Sequence, residues 1–188
     1  MLVEPGPAGS SLLPLAVGGA IAGAVDRAWG LRPRLKWPND LVVPGAPGPT
    51  RKLGGILVDG VEGPRATRIA VVGVGLNVRT PSGGWATTRP IPAVGVDELL
   101  PAGPSVDEVE VVVAAAIEEA AADLGTPDGR RAAIDRCGRL LYGVGRSALV
   151  DGRLAGTIRG IAPDGALELD RDGEPMTIRA GDLTVLDP

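Results

Sequence analysis

The sequence contains no histidine, no phenylalanine and a single cysteine, Cys137, among its 188 residues. The absence of histidine excludes the commonest ways of activating a serine, a cysteine or a metal-bound water. One cysteine allows neither an internal disulfide nor a zinc site built from several cysteines. Any chemistry must therefore depend on lysine, arginine, carboxylates, amides and backbone groups.

The sequence also lacks a lysine- or arginine-rich run, and its net charge is −4 with a pI near 4.9. Nucleic-acid binding, which needs basic surface, is not expected. No apolar run approaches the roughly 20 residues that a membrane helix needs. The first residues do not resemble a signal peptide. We therefore expect a cytoplasmic protein that binds neither nucleic acid nor membrane.

Hydrophobic patterning predicts an α+β fold in which a mixed sheet is packed with helices. Residues 12–29 are apolar almost all round and predict a buried helix. Residues 52–59 and 69–77 are nearly continuous in Val, Ile, Leu and Gly, the pattern of neighbouring strands in a sheet covered on both faces. Two shorter strands, residues 35–37 and 40–43, flank a turn that contains a proline.

The middle of the chain predicts an irregular segment followed by two helices. Residues 80–104 are rich in proline and lack periodicity, which indicates an irregular surface segment. Ser105 with Glu108 three residues later has the pattern of a capping box, so a helix is predicted over residues 106–124. A second helix is predicted over residues 128–141.

The last part of the chain has a different texture, with short alternating strands separated by Asp-Gly dipeptides. Such dipeptides favour the positive φ angles of tight hairpins, so this part predicts a small antiparallel barrel. The predicted domains are residues 1–143 and 144–188. The predicted strands are residues 147–150, 154–161, 166–169, 176–180 and 183–186.

Two polar clusters lie at the starts and ends of the predicted strands. In Lys36-Trp37-Pro38-Asn39-Asp40, the proline fixes the backbone direction, so Asn39 and Asp40 would point into a shared cleft. A simple turn with local hydrogen bonds is the alternative. In the second cluster, Lys52 begins a strand and Gly54-Gly55 leave room for a ligand close to the backbone. A solvated surface lysine is the alternative there.

A third cluster, Gly73-Val74-Gly75-Leu76-Asn77, ends a buried strand with an amide. An amide that both donates and accepts hydrogen bonds suits the edge of an adenine ring. The segment is not a dinucleotide-binding fingerprint, because a third glycine and a following helix are absent. Taken alone, it is a weak signal.

In this order and spacing, the three clusters resemble the biotin-protein ligase family. The family carries Lys-Trp-Pro-Asn-Asp, then Lys-Leu-Ala-Gly-Ile-Leu with an acidic residue, then Gly-x-Gly-x-Asn. Gly54 stands here where the family usually has alanine, and Asp59 where it usually has glutamate. Residues 156–186 are similar to the family's SH3-like barrel. The resemblance implies a catalytic domain like those of class II synthetases, followed by that barrel.

The resemblance also implies an activity. Family members use ATP, with Mg²⁺, to convert biotin into biotinyl-5′-adenylate, and then transfer biotin to a lysine of the biotin carboxyl carrier domain of a carboxylase. The implied roles are biotin carboxylate and α-phosphate contact for Lys52, Mg²⁺ binding or orientation of the acceptor lysine for Asp40, phosphate contact for Asn39, adenine contact for Asn77, and close ligand approach at Gly54 and Gly55.

One family feature is not found in this sequence, the glycine- and arginine-rich loop that closes over biotin. We therefore expect the chain to begin inside the catalytic domain, with an upstream segment or separate chain supplying the loop, as in a split ligase. The alternatives are a catalytically incomplete domain that binds a nucleotide or a partner, and a lipoate-attaching enzyme, which the Trp-Pro-Asn-Asp sequence disfavours. A homodimer is also among the expected partners.

Overall fold

The computed structural model describes residues 2–3, 12–45, 48–62, 68–86, 91–100 and 102–186. In this part of the chain, two five-stranded sheets pack with four helices, which confirms the predicted α+β class. The strands are β1 (Leu2–Val3), β2 (Arg34–Lys36), β3 (Asp40–Val43), β4 (Arg51–Glu62), β5 (Arg68–Leu76), β6 (Ser147–Val150), β7 (Arg153–Ile161), β8 (Leu167–Arg171), β9 (Glu174–Ile178) and β10 (Leu183–Val185). The helices are α1 (Leu12–Trp29), α2 (Val96–Leu99), α3 (Val106–Leu124) and α4 (Pro127–Leu140).

The first sheet has the strand order β1-β5-β4-β3-β2, with antiparallel pairing between all neighbouring described strands. The sequence predicted a mixed sheet. Within the described ranges, parallel pairing is limited to two isolated bridges, Leu35 with Leu141 and Lys52 with Ala93. Short connections between β2, β3, β4 and β5 reverse the chain at each step, which gives antiparallel neighbours. The order puts β4 at the centre of the sheet, directly beside β3.

Helix α1 has the predicted bounds and lies at the centre of the core, against β2, β3 and β4 and against α3 and α4. Gly18 allows this close packing, because a Cβ atom there would stand 2.8 Å from Cδ2 of Leu35. By length and composition α1 could also cross a membrane, which corrects the expectation that no segment could. However, 67% of its apolar window is buried within the fold. Its apolar surface is therefore used in the core.

The β4–β5 pair is covered on one face only. Ile56 and Val72, on one face, are 1% and 6% exposed, whereas Leu57 and Val71, on the other, are 62% and 39% exposed. The expectation of a sheet covered on both faces is therefore wrong. Glycines such as Gly73 and Gly75 extend the apolar run without adding side chains that need cover, so the run overstated the burial.

Two of the helices begin at capping residues. The Ser105 hydroxyl accepts a hydrogen bond from the Glu108 N–H at 3.2 Å, and the Glu108 carboxylate accepts one from the Ser105 N–H at 2.8 Å, which confirms the predicted capping box. Helix α4 begins at Pro127, one residue before the predicted start, because the Thr126 hydroxyl accepts from the Gly129 N–H at 3.1 Å.

The segment predicted as an irregular surface loop, residues 80–104, contains the short helix α2. It also contributes to the core, since Val94 and Val96 are fully buried. Prolines hid these contacts because they interrupt periodicity without preventing burial. The segment therefore packs on the sheet near Lys52, and residues 87–90 and 101 within it lie outside the described ranges.

The second sheet has the order β10-β6-β7-β8-β9, again with antiparallel pairing between described neighbours. Asp151 and Asp172 have φ angles of 50° and 56°, as the Asp-Gly hairpin turns require. The indole N–H of Trp37 in the first sheet's region donates to the buried Gly165 carbonyl at 3.1 Å. The division into an SH3-like domain of residues 144–188 and a domain of residues 1–143 stays a prediction.

Candidate functional site

Lys52 and Asp40, from the neighbouring strands β4 and β3, form the centre of the site. The Nζ atom of Lys52 lies 2.5 Å from Oδ1 of Asp40, and the two side chains are 26% and 16% exposed. Partial burial makes such a pair less screened than one at the surface. The fold thus brings together the two residues predicted to be catalytic.

Lys36 extends this pair into a line of alternating charges. Its ammonium lies 3.8 Å from Oδ2 of Asp40 and 3.8 Å from Oδ1 of Asp182, which belongs to the second sheet's side of the site. Lys36 is only 6% exposed and is the one charged residue that is buried in the described ranges. A buried ammonium group requires carboxylate partners. Both sheets therefore contribute to the charge balance of the site.

The backbone of Lys52 is held on both sides. Its N–H donates to the Pro92 carbonyl at 2.7 Å, and its carbonyl accepts from the Val94 N–H at 2.9 Å. The same carbonyl accepts from Nδ2 of Asn77 at 3.1 Å, so the third predicted cluster lies next to the second. Over the described residues, the Asn77 amide oxygen makes no further hydrogen bond. It is therefore free to accept one from a ligand.

Asn39 faces β4 and has a structural contact there. Its Nδ2 donates to the Ile56 carbonyl at 2.8 Å, while the Ile56 N–H donates to the Asn39 carbonyl at 2.9 Å. This clamp fixes the end of the Lys36–Asp40 turn against the central strand. The predicted contact between Asn39 and phosphate stays a prediction.

The two glycines after Lys52 have different surroundings. A Cβ atom on Gly55 would stand 3.3 Å from Oδ1 of Asp40 and 3.6 Å from Nζ of Lys52, so this glycine keeps space at the charged centre. A Cβ atom on Gly54 would stand 2.5 Å from the Gly75 carbonyl oxygen, so Gly54 permits close approach of β5. Close ligand approach is therefore best supported at Gly55, and for Gly54 it stays a prediction.

Two clefts meet at Lys52. The inter-sheet cleft, of about 530 Å³, is lined by Lys36, Asp40, Pro49, Thr50, Lys52, Ile91, Pro92, Tyr142, Asp182, Leu183, Thr184 and Val185. The Asn77 cleft, of about 410 Å³, is lined by Lys52, Gly54, Gly55, Gly75, Leu76, Asn77, Trp85, Ala86 and Ala93. Since Lys52 is the residue common to both linings, its ammonium can neutralise anionic groups that approach from either cleft.

Sequence reasoning missed several residues of these clefts. Trp85 borders the Asn77 cleft, and its indole N–H donates to Glu98 at 2.7 Å. Tyr142 borders the inter-sheet cleft, and its hydroxyl accepts from Thr50 at 2.8 Å. A tryptophan, one of three in the sequence, within a proline-rich segment was a usable signal. Asp182 offered none, because its role depends on how the second sheet packs.

Magnesium is the group for which the site fits least well. The described residues contain no cluster of three or more potential metal ligands. Asp40, the predicted ligand, has one oxygen against Lys52 and the other facing Lys36. Two ammonium groups repel a divalent cation, and Mg²⁺ demands a nearly octahedral set of oxygens. The described residues therefore do not form a magnesium site of their own.

The structural comparisons define the class of fold. The biotin protein ligase of Aquifex aeolicus superposes with a TM-score of 0.77 at 19% identity, over 94% of this chain and 75% of that protein. The biotin protein ligase of Leishmania major in complex with biotin superposes with a TM-score of 0.56 at 16% identity, over 98% and 74%. The fold is that of the biotin protein ligases.

The sequence comparison gives a relative of known activity. The chain is 30% identical over 195 aligned positions to the bifunctional ligase/repressor BirA of Escherichia coli (strain K12), covering 97% of this chain and 56% of BirA. The chain thus spans about half the length of that relative. No protein-family model matches it. The chain is thus similar in sequence to this ligase/repressor over about half of that protein's length, and similar in fold to the biotin protein ligases.

Proposed function

We propose that the chain acts in ATP-dependent activation of biotin and transfer of biotin to a protein lysine. The observation that carries the proposal is the Lys52 ammonium, which borders both clefts and is paired with Asp40. The likeness to a structure of the Aquifex aeolicus biotin protein ligase in complex with biotin and ATP supports the choice of substrates, with a TM-score of 0.73.

In the first step, a carboxylate oxygen of biotin attacks the α-phosphorus of ATP, and the bond from that phosphorus to the pyrophosphate oxygen breaks. Two anions must meet, so neutralisation and alignment are the main requirements. The Lys52 ammonium meets both by leaving Asp40 for the substrate oxyanions. Magnesium that arrived bound to the nucleotide would supply further neutralisation, without a ligand from this site.

In the second step, the acceptor amine attacks the acyl carbon of the adenylate, AMP leaves and the amine loses a proton. Asp40 is suited to orient that amine, because Oδ1 is released when Lys52 turns to the substrate. Asp182, whose side chain is 78% exposed at the inter-sheet cleft, attracts an incoming ammonium group. The inter-sheet cleft is accordingly the acceptor's approach.

The Asn77 cleft suits the adenine ring. Asn77 offers an amide oxygen to an exocyclic amine, and Trp85 offers an aromatic face on which a base can pack. The neighbouring glycines Gly54, Gly55 and Gly75 keep the floor of this cleft free of side chains. Adenine bound here leaves the α-phosphate near Lys52, which lines the same cleft.

Replacement of Lys52 tests the proposal. We expect Lys52→Ala to lower biotin-dependent exchange between ATP and pyrophosphate on the order of 100- to 1,000-fold, because the ammonium that borders both clefts is lost. Exchange is measured with the chain alone and with any glycine- and arginine-rich segment encoded next to it. Arg32→Ala, which removes an exposed cation elsewhere, is the matched control and should retain wild-type exchange.

Two outcomes would contradict the proposal. If the Lys52→Ala variant kept substantial exchange between ATP and pyrophosphate, the role proposed for Lys52 would be wrong. If the wild-type chain showed no exchange, either alone or with the upstream segment, the proposed reaction would be wrong. ATP binding without exchange would then favour the alternative, a catalytically incomplete domain that binds a nucleotide.

The proposal also includes the acceptor protein, the cellular compartment and further partners. The acceptor is a biotin carboxyl carrier domain, and the protein works in the cytoplasm. An upstream segment and a homodimer are further proposed partners. Light scattering of the purified chain, with and without the upstream segment, tests both.

A further inference from the structure

Trp85 is fixed in the wall of the Asn77 cleft by a carboxylate. Its indole N–H donates to Oε1 of Glu98 at 2.7 Å. The same oxygen accepts from the Thr80 hydroxyl at 2.9 Å and from the Gly95 N–H at 2.9 Å. An oxygen that accepts three hydrogen bonds holds Thr80, Trp85 and Gly95 in one arrangement, because each donor limits where the others can lie.

Glu98 is itself attached to the strand that carries Lys52. Its second oxygen, Oε2, lies 3.3 Å from Nη1 of Arg51, the residue before Lys52 on β4. Helix α2, which bears Glu98, is joined to the Asn77 region, since the Val96 N–H donates to the Asn77 carbonyl at 2.9 Å. Glu98 therefore links the aromatic wall of the cleft to the strand that supplies its lysine.

The carboxylate form of Glu98 is favoured by these contacts. The Trp85 N–H, followed by the Gly95 N–H, lowers the pKa of Glu98 below its ordinary value, and Arg51 contributes in the same direction. An ionised acceptor makes a stronger hydrogen bond to the indole than a neutral one would. Glu98 lines neither cleft, and its contacts reach them through Trp85, which lines the Asn77 cleft, and through Arg51, which precedes Lys52 on β4.

We propose that Glu98 is a positioning residue that holds the Trp85 ring in the wall of the Asn77 cleft, against which the nucleobase of ATP packs. The proposal rests on the function proposed above and adds to it the residue that fixes the nucleotide's aromatic contact. If Glu98 were only a cap for α2, its loss would lower stability without changing nucleotide affinity relative to biotin affinity.

The test removes the hydrogen bond between Trp85 and Glu98 by replacing one partner at a time. Glu98→Ala and Trp85→Phe each abolish it, and the second change keeps an aromatic ring. We expect each to weaken ATP binding on the order of tenfold while leaving the affinity for biotin nearly unchanged. In the double variant the two effects should not add, because both remove the same contact.

Two variants separate positioning from folding. Glu98→Gln keeps a carbonyl acceptor for the indole and should recover most of the ATP affinity, although it loses the charge facing Arg51. Glu108→Ala is the matched control, since Glu108 also accepts from the backbone of a helix start but borders neither cleft. It should lower the melting temperature and leave ATP affinity unchanged.

The direct measurement is tryptophan fluorescence during titration with ATP. Trp85 should give a change in emission that disappears in Trp85→Phe, leaving the signals of Trp29 and Trp37. ATP binding without biotin-dependent exchange would contradict the proposed reaction but not the role proposed for Glu98. Wild-type ATP affinity in Glu98→Ala, additive effects in the double variant, or no ATP binding by the wild-type chain would each overturn the inference.

Discussion

Asp40 contacts two ammonium groups of different accessibility, and this difference assigns them different tasks. Lys36 is buried, whereas 26% of the Lys52 side chain is exposed. A substrate oxyanion entering either cleft therefore reaches Lys52 more easily and competes with Asp40 for it. Lys36 keeps Asp40 paired while Lys52 is engaged, so that the carboxylate is never left alone in a partly buried position.

Gly55 keeps the space in which this exchange of partners occurs. We expect Gly55→Ala to lower exchange between ATP and pyrophosphate at least tenfold, because the added methyl group would lie 3.3 Å from Asp40 and 3.6 Å from Lys52. Gly60→Ala, on the same strand, is the matched control, since a Cβ atom there has no neighbour within 4 Å. Equal activity of the two variants would show that crowding at Gly55 does not matter.

Secondary structure elements were predictable where the signal is local. Helix α1 has the predicted bounds because its apolar residues form a continuous run, and α3 begins where the Ser105 and Glu108 pattern indicated. Helix α2 was missed because its four residues are set by contacts with Asn77 and Val78 rather than by their own pattern. Long periodic elements thus carry their own signal, whereas short ones depend on their neighbours.

The start of α4 provides a test at the scale of an element. We expect Thr126→Ala to lower the free energy of unfolding by about 1 kcal/mol, because the hydroxyl accepts from the Gly129 N–H at 3.1 Å. Thr126→Ser keeps the acceptor and should cost much less. Urea denaturation followed by circular dichroism measures both. A Thr126→Ala variant as stable as Thr126→Ser would contradict the capping role.

At the scale of the whole molecule, the site is shared between two sheets that are distant in sequence. The motifs predicted that Lys52 and Asp40 belong to one site, but nothing local indicated that Asp182 would reach Lys36. The sequence also did not indicate that one face of the β4–β5 pair is exposed, because burial depends on which elements pack against a strand. Contacts between distant segments are the part of this structure that a single sequence does not reveal.

The hydrogen bond between Trp37 and Gly165 gives a way to measure how strongly the two sheets depend on each other. Trp37 is only 1% exposed and donates to the Gly165 carbonyl at 3.1 Å. We expect Trp37→Phe to lower the free energy of unfolding by about 2 kcal/mol, because it leaves a buried carbonyl without its donor and removes part of a packed ring. Trp29→Phe, at a partly exposed ring, is the control.

The shape of the unfolding curve then distinguishes two arrangements. If the sheets unfold together, Trp37→Phe moves a single urea transition to lower concentration without changing its slope. If residues 144–188 form an independent domain, as predicted, the loss of this contact separates the transition into two steps. Wild-type stability with an unchanged curve would mean that the Trp37 contact contributes nothing to holding the sheets together, and that the inter-sheet cleft depends on the pairing of Lys36 with Asp182 and on apolar packing instead.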